Sequence, residues 1–391
     1  YEEARERLHT AAVPSSLPGR EAEAIEIEAT LEMAISEKTG CCLYISGVPG
    51  TGKTATVHEC IKRLQEKVEG QELQPFTFVE INGMKITDPG QAYSMLWEAL
   101  EGVRVTPKHA ADLLEKRFSS RRLADEPPCV VLMDELDWLV TKRQTVMYNF
   151  FDWPNRPSSQ LVVIAVANTM DLPERALSNK VSSRLGLSRI NFQPYTHEQL
   201  CAIVSSRLAG CKAFDPDAIE LCGRKVSAVS GDARRALDIC RLAVEIVERD
   251  FGTGALTAAA GQPQQSAQVT VGIISRAIRE MYASGPVAFV RSASLHQKLF
   301  LACVVLHLRK SGQNEVLLAE VIPAHQQLCR LRQLDTPTDS DLALVCASLG
   351  ASRCLLVEST RLDLHQRLRL NIGVEDITMA LKNDSLFEQL L

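Results

Sequence analysis

Residues 47–54 read Gly-Val-Pro-Gly-Thr-Gly-Lys-Thr, that is, a glycine, four residues and then Gly-Lys-Thr. The apolar run 41–45 before this segment and the helical pattern 54–67 after it predict a strand that delivers a loop to a helix N-terminus. Main-chain N–H groups and the helix dipole attract phosphate at such a position. Lys53 would contact the β- and γ-phosphates, and the Thr54 hydroxyl would bind Mg²⁺. The segment therefore predicts a nucleoside triphosphate site, and the alternative is a glycine-rich turn without a ligand.

Two acidic residues, Asp134 and Glu135, follow the apolar run 130–133. Four consecutive apolar residues indicate a strand that is buried on both faces of a parallel sheet. At the end of that strand Asp134 would reach the Mg²⁺ shell, and Glu135 would polarise the attacking water. A surface strand that ends in carboxylates is the alternative, and it fits the apolar run poorly.

Three further polar residues could act on the phosphates. Asn168 follows the apolar run 161–167, and its amide could hydrogen-bond the γ-phosphate or position the water, although asparagine is also common in turns. Arg184 precedes the last predicted strand of the sheet, and Arg234 opens a later helix. A planar guanidinium can clamp phosphate oxygens, but a surface salt bridge is an equal alternative for each arginine.

These side chains need a scaffold that brings strand ends together, and the pattern of the chain predicts one. Apolar runs alternate with helical patterns from 17 to 192, which indicates a parallel sheet with flanking helices. The predicted strands are 41–46, 76–82, 129–134, 161–167 and 189–192. Residues 196–247 are predicted to be helical, with an N-cap at Asp215, and a further helix covers 270–283. The low-complexity stretch 251–268 predicts a loop.

The C-terminal part of the chain has the element order of a winged helix. Helices are predicted over 294–310, 315–332 and 339–349, followed by extended segments at 354–357 and 367–372. We therefore expect three domains: an α/β nucleotide-binding domain over 1–195, an all-helical lid over 196–285 and a winged helix over 286–391.

The composition is that of an ordinary globular protein. The chain has 391 residues, of which 46% are hydrophobic and 23% charged, and no run approaches the ~18 apolar residues of a membrane span. The twelve cysteines include no Cys-x-x-Cys pair, which favours reduced, buried thiols over disulfides or zinc. Because the chain begins at Tyr1 rather than Met, we expect it to be a fragment.

Nucleic-acid binding would have to depend on local patches, because the net charge is −5. One candidate is 102–122, where six basic residues oppose Asp112 and Glu115; a solvated helix face is an equal alternative. The second candidate is the predicted wing, where phosphate and minor-groove contacts are expected rather than base-specific ones. The residues assigned to DNA are Lys108, Arg361, Arg367 and Arg369, with His365 beside them.

Taken together, these motifs resemble the initiator-type AAA+ ATPases, and most closely the family of the largest subunit (subunit one) of the eukaryotic origin recognition complex. The resemblance covers nearly the whole chain. The stretches that carry it include Leu-Pro-Gly-Arg-Glu at 17–21, Glu-Ile-Asn-Gly-Met-Lys at 80–85, Tyr-Asn-Phe-Phe-Asp-Trp-Pro at 148–154, Ala-Asn-Thr-Met-Asp-Leu-Pro at 167–173 and Phe-Gln-Pro-Tyr at 192–195. The resemblance implies an α/β AAA+ ATPase domain, an all-helical lid and a C-terminal winged helix.

The resemblance also implies roles for single residues. The loop 47–54 would be the Walker A motif, Asp134-Glu135 the Walker B motif, Asn168 sensor 1 and Arg234 sensor 2, while Arg184 would be an arginine finger acting in trans. ATP and Mg²⁺ would be the cofactors, with Thr54 and Asp134 on the metal and Pro18, Arg20 and Tyr195 around the adenine. The residues expected to contact the nucleotide are Pro18, Arg20, Val48, Pro49, Gly50, Thr51, Gly52, Lys53, Thr54, Glu135, Asn168, Tyr195 and Arg234.

For partners, the resemblance implies the other origin recognition complex subunits in a ring around duplex DNA, in the nucleus. The neighbouring fourth subunit would complete the ATP site. Arg184 would face the helicase-loading ATPase, which helps to load the replicative helicase.

Three alternatives remain open at this point. The first is the related helicase-loading ATPase of replication licensing, or an archaeal initiator; the stretches 80–85 and 148–154 favour the origin-complex subunit. The second is a scaffold that binds ATP without turning it over, against which the chain retains Lys53, Thr54, Asp134 and Glu135. The third is a signalling switch ATPase with a winged helix, which lacks support because no repeat sensor domain is present in this sequence.

Overall fold

The computed structural model divides into two compact units, Tyr1–Lys212 with Cys222–Asp238 and Ala213–Leu221 with Ile239–Leu391. The residues that the structure describes are 2–9, 18–86, 88–119, 127–140, 144–156, 159–170, 172–175, 188–211, 213–252, 268–282, 285–311, 315–358, 364–382 and 387. In this part of the chain no helix has both the length and the apolar composition of a membrane span.

The first unit contains a five-stranded sheet in which all neighbouring strands are parallel. Its strands are β1 (Cys41–Gly47), β2 (Thr77–Asn82), β3 (Cys129–Asp134), β4 (Leu161–Ala167) and β5 (Arg189–Phe192). Their order is β2-β3-β4-β1-β5. The predicted strands and the parallel sheet are thus confirmed. Strand β4 lies between β1 and β3, so its carboxyl end stands between the phosphate loop and the acidic pair.

Both faces of this sheet are buried. Val131 and Met133 of β3 belong to one core cluster, whereas Val130 and Leu132 belong to the cluster on the opposite face. Successive side chains of a strand point to opposite faces, so a strand covered on both sides must be apolar at every position. This is the physical reason why the central strands read as continuous apolar runs.

Helices flank the sheet. Those of the first unit are Glu2–Arg7, Glu21–Ser36, Lys53–Glu69, Gln91–Glu101, Pro107–Ser119, Thr145–Asp152, Leu172–Arg175 and His197–Arg207. The boundary between the two units falls within helices Pro216–Ser227 and Ala233–Gly252. The predicted N-cap is present: the side chain of Asp215 accepts a hydrogen bond from the main-chain nitrogen of Asp217 (3.2 Å).

The second unit contains a small antiparallel sheet packed on helices. The helices are Val271–Tyr282, Gly285–Ser292, Leu295–Ser311, Leu318–Leu331, Asp339–Ala351 and Val374–Lys382. The strands β6 (Val316–Leu317), β7 (Leu355–Val357) and β8 (Arg367–Leu370) pair in the order β6-β8-β7. From Gly285 onwards these elements share one core, which includes Phe300, Val304 and Leu368.

Two details of the predicted winged helix are wrong. The helix predicted over 315–332 begins only at Leu318, because Val316 and Leu317 pair with β8. The sheet therefore has three strands rather than a two-stranded hairpin. The extended segment predicted to reach residue 372 stops as a strand at Leu370. Helices Gly285–Ser292 and Val374–Lys382 pack against each other and were not anticipated. The predicted loop 251–268 lies mostly outside the described residues.

Candidate nucleotide-binding site

The loop between β1 and helix Lys53–Glu69 depends on glycines where the main chain is left-handed. Gly50 has φ +76° and Gly52 has φ +88°. A Cβ at Gly50 would lie 1.7 Å from Asp232 Oδ1, and one at Gly52 would lie 2.5 Å from the Tyr195 hydroxyl oxygen. Only glycine fits both the conformation and the space, so the loop is enclosed by side chains from residues 195 and 232.

Lys53, the first residue of the helix, is buried in this loop. Its ammonium donates hydrogen bonds to the carbonyl oxygens of Gly47 (2.6 Å) and Val48 (3.1 Å) and to Oδ1 of Asn168 (3.1 Å). Burial lowers the pKa of Lys53 to about 8; the Glu135 carboxylate opposes this effect and Arg234 adds to it. A phosphate group in the loop would supply the negative charge that the buried ammonium lacks.

Asp134 and Thr54 place oxygen atoms side by side. The Thr54 hydroxyl donates to Asp134 Oδ1 (3.1 Å), and the Asn82 amide donates to Asp134 Oδ2 (3.3 Å). The main-chain nitrogen of Glu135 also donates to Asp134 Oδ1 (3.0 Å), so the carboxylate has a fixed orientation. Hydroxyl and carboxylate oxygens are the donor set that Mg²⁺ prefers, and these two residues therefore fit the predicted metal.

Asn168 connects the loop to Glu135. Its amide nitrogen donates to Glu135 Oε2 (2.8 Å), while its amide oxygen accepts from Lys53 (3.1 Å). Its main-chain nitrogen donates to Asp137 Oδ2 (2.9 Å). Glu135 has φ +52°, an uncommon conformation for glutamate, and a Cβ at Gly83 would lie 2.5 Å from its carbonyl oxygen. Neighbouring turns therefore hold both polar side chains in place.

The wall opposite the sheet comes from the start of helix Ala233–Gly252. The main-chain nitrogen of Ala233 donates to the Gly50 carbonyl oxygen (3.2 Å), and that of Arg234 donates to Asp232 Oδ1 (2.7 Å). Burial raises the pKa of Asp232, and the hydrogen bond from Arg234 opposes it. The resulting cleft is lined by Pro49, Gly50, Gly52, Lys53, Thr54, Ala55, Glu135, Asn168, Tyr195, Ile203, Arg207, Ala233, Arg234 and Leu237.

The residues predicted around the adenine do not all line the cleft. Tyr195 lines the cleft, and burial raises the pKa of its hydroxyl. Arg20 is buried behind it, with its guanidinium 4.1 Å from the Tyr195 ring centre. Arg20 Nε donates to the Thr51 carbonyl oxygen (3.0 Å), and Nη2 donates to that of Gln193. Arg20 thus braces the loop from behind, and both Arg20 and Pro18 line a separate surface depression. The adenine contacts of these residues stay predictions.

Sequence reasoning missed several residues of the site. Ile203, Arg207 and Leu237 line the cleft without belonging to a motif, although 203 and 207 share a helix face at i, i+4 spacing. Asn82 and Asp137 position Asp134 and Asn168, respectively. A polar residue at the end of β2 was the signal that could have identified Asn82.

Two of the predicted residues, Arg184 and Arg361, lie outside the described residues. The other predicted DNA contacts are on the surface. Arg367 and Arg369 flank the buried Leu368 on β8, so they point to the opposite face, and Arg367 Nη1 donates to Glu315 (3.4 Å). Lys108 is exposed.

The rest of the basic segment 102–122 is partly neutralised. Arg104 lies 3.9 Å from a Glu98 oxygen, and Arg117 pairs with Glu101. These ion pairs weaken the expectation of a continuous basic patch.

Three family models match successive parts of the chain. The ATPase family associated with various cellular activities (AAA) matches residues 43–189, the Cdc6/ORC-like ATPase lid domain matches 195–250, and the CDC6 C-terminal winged helix domain matches 289–380. The matches agree with the predicted order of an ATPase domain, a lid and a winged helix.

Curated relatives and solved structures agree with these models. "Origin recognition complex subunit 1" of Bos taurus is 49% identical over 98% of this chain and 43% of its own length; the protein of the same name from Schizosaccharomyces pombe is 48% identical over 98% and 54%. This chain therefore spans about half the length of these relatives. A chain of "Structure of Drosophila ORC bound to DNA" is 42% identical, covers 97% of this chain and 90% of its own, and has a TM-score of 0.65. The Aeropyrum pernix ORC1 protein in complex with DNA, 24% identical with a TM-score of 0.60, shares the fold.

Proposed function

Because this chain belongs to the origin recognition complex subunit 1 family of AAA+ ATPases, we propose that it is the ATP-binding and ATP-hydrolysing subunit of an origin recognition complex. In this proposal it binds ATP with Mg²⁺, assembles with the other subunits on duplex origin DNA in the nucleus and helps to load the replicative helicase. The related Drosophila ORC structure contains DNA, and it supports two parts of the proposal: assembly into an origin recognition complex and binding of that complex to DNA.

One observation carries the enzymatic part of the proposal: the hydrogen-bonded series of Lys53, Asn168 and Glu135 beside the Thr54–Asp134 pair. The ends of β3 and β4 and the start of one helix place a cation, an amide and a carboxylate within one cleft. A scaffold that only bound nucleotide would not need a carboxylate beside the expected phosphate position. Hydrolysis is therefore favoured over simple binding.

Each residue then has a distinct task. Lys53 binds the phosphate charge, and Thr54 and Asp134 would hold Mg²⁺, which when bound neutralises charge on the phosphate oxygens. Glu135 orients and deprotonates the attacking water, and Asn168 positions Glu135. Arg234 lines the same cleft and would bind phosphate oxygens.

The remaining parts of the proposal rest on the family. Arg184 would act in trans as an arginine finger towards the helicase-loading ATPase, and the neighbouring fourth subunit would complete this chain's own ATP site. Arg361, Arg367, Arg369 and Lys108 would contact DNA phosphates. The proposed domains are 1–195, 196–285 and 286–391.

The experiment that tests the division of tasks compares Lys53→Ala with Glu135→Gln. Lys53→Ala should abolish ATP binding or nearly so, because it removes the phosphate-binding charge. Glu135→Gln should bind ATP with the wild-type affinity and lose turnover in the assembled complex, because Glu135 acts only on water. Filter binding of labelled ATP and phosphate release measure the two properties separately. If Glu135→Gln lost ATP affinity as severely as Lys53→Ala, the assignment of these tasks would be wrong.

A further inference from the structure

Two histidines and a cysteine of the second unit bring their ligand atoms together. His296 lies in the first turn of helix Leu295–Ser311, and His325 and Cys329 lie one turn apart on helix Leu318–Leu331. One ligand atom from each residue lies within 4.8 Å of the other two. His325 and Cys329 are fully buried and His296 is half-buried. Three side chains able to bind a metal therefore converge where two helices meet.

Protein partners leave two ring nitrogens of this cluster without a hydrogen bond. The Cys329 sulfur and His325 Nδ1 are 3.6 Å apart, which is a weak contact. His325 Nε2 and His296 Nδ1 are buried and have no hydrogen-bond partner. Buried polar side-chain atoms in folded proteins nearly always have a partner, so the unpaired His296 Nδ1 indicates a missing partner that a metal ion could supply.

The distances are close to those of a zinc site. Zinc binds sulfur at about 2.3 Å and nitrogen at about 2.0–2.1 Å with tetrahedral angles, which places a sulfur and a nitrogen ligand about 3.6 Å apart. The contact between Cys329 and His325 already has this length. Any separation up to the 4.8 Å limit requires the ligand atoms to move together by about 1 Å to reach zinc geometry.

A cysteine binds zinc as the thiolate, so metal binding at this cluster would release the Cys329 thiol proton.

We propose that His296, His325 and Cys329 form a zinc site with three protein ligands that joins helix Leu295–Ser311 to helix Leu318–Leu331. Two imidazoles and a thiolate are a ligand set that suits zinc. The absence of a Cys-x-x-Cys pair favoured plain buried thiols, but this cluster is assembled from two helices and has no signature in the residue spacing.

The test uses the whole chain, from which metal is first removed with a chelator. The chain is then given either Zn²⁺ or Co²⁺ in a buffer that contains Mg²⁺. The wild-type chain should retain about one zinc ion through gel filtration, and its cobalt form should show a thiolate-to-cobalt charge-transfer band. Cys329→Ser and His296→Gln should each lower zinc affinity by more than about 100-fold, the upper end of what loss of an outer-shell partner costs. Zinc should also raise the melting temperature of the wild-type chain and not that of either variant.

The matched control is Cys346→Ser, which changes another buried cysteine of the same unit outside the cluster. It should bind zinc like the wild type. The proposal is overturned if the stripped wild-type chain takes up no zinc, or if Cys346→Ser loses as much zinc as Cys329→Ser. Circular dichroism checks that each variant folds. If Cys329→Ser does not fold, the zinc affinity of His296→Gln tests the proposal, because the half-buried His296 side chain can be replaced with less effect on folding.

Discussion

Nucleotide affinity should fall steeply between pH 7 and pH 9, because Lys53 loses its proton in that range when the cleft holds no phosphate. Burial lowers the pKa of Lys53 to about 8 in the free protein. A bound phosphate stabilises the ammonium and returns its pKa to at least the ordinary value of about 10.4. Binding above pH 8 therefore requires uptake of a proton.

The magnitude follows from the two pKa values. With a free-state pKa of about 8, roughly a tenth of Lys53 is deprotonated at pH 7 and roughly nine-tenths at pH 9. The dissociation constant should therefore rise about 10-fold over these two pH units, equivalent to about 1.4 kcal/mol. The direction is unambiguous: a pKa that rises on binding favours binding at low pH.

The assay is a fluorescence titration of a labelled adenine nucleotide at fixed excess Mg²⁺, with calorimetry in two buffers to count the protons. Lys62→Ala is the control, since Lys62 is exposed on the same helix and its loss should leave the pH dependence unchanged. Tyr195 also lines the cleft, but burial raises the pKa of its hydroxyl away from this range. A dissociation constant that changed by less than about 2-fold from pH 7 to pH 9 would refute the reasoning.

Three other predictions follow from the structure and the proposed function. Gly50→Ala should abolish nucleotide binding and lower the melting temperature, because its Cβ would lie 1.7 Å from Asp232. The control is Gly102→Ala, which is also left-handed but has no atom within 4 Å of the added Cβ. This control should lose only about 1–2 kcal/mol of stability to backbone strain and should still bind nucleotide. The isolated chain should bind ATP but hydrolyse it very slowly, since an arginine finger in trans is worth ~10³–10⁵ in rate; fast hydrolysis independent of protein concentration would contradict this. Replacing Arg367 and Arg369 with Ala should flatten the log–log salt dependence of duplex DNA binding by up to ~2 units without changing ATP affinity, as measured by fluorescence anisotropy. An unchanged slope would exclude β8 from the DNA contacts.

The fold could be predicted wherever burial on both faces leaves a continuous apolar run. Strands β3 and β4 are such runs, and both were predicted with the correct bounds. Strand β6 was missed because it has only two residues and exists through its pairing with β8, a tertiary contact that local pattern does not reveal. Helix Val374–Lys382 was missed as well, and its reason for forming is its packing in the core of the second unit.

The residues of the candidate site likewise fall into two groups, those that the sequence predicts and those that only the tertiary structure shows. Lys53 lies in the loop that follows β1, Asp134 ends β3 and Asn168 follows β4, so the parallel sheet itself brings them together. Arg207 and Leu237 reach the cleft from helices that carry no motif, and only the tertiary structure shows them there. Similarly, the sequence could not show that Arg20 is buried and donates to the Thr51 carbonyl oxygen, and its contact with the nucleotide stays a prediction.

The side-chain amide of Asn168 connects Lys53 to Glu135. Its oxygen accepts from Lys53 and its nitrogen donates to Glu135, so a flipped amide would oppose donor to donor and acceptor to acceptor. The amide nitrogen thus fixes the orientation of the Glu135 carboxylate, while the amide oxygen fixes that of the Lys53 ammonium. One side chain therefore couples the positions of the proposed phosphate-binding cation and the proposed hydrolytic carboxylate, so a movement of Lys53 would change the position of Glu135.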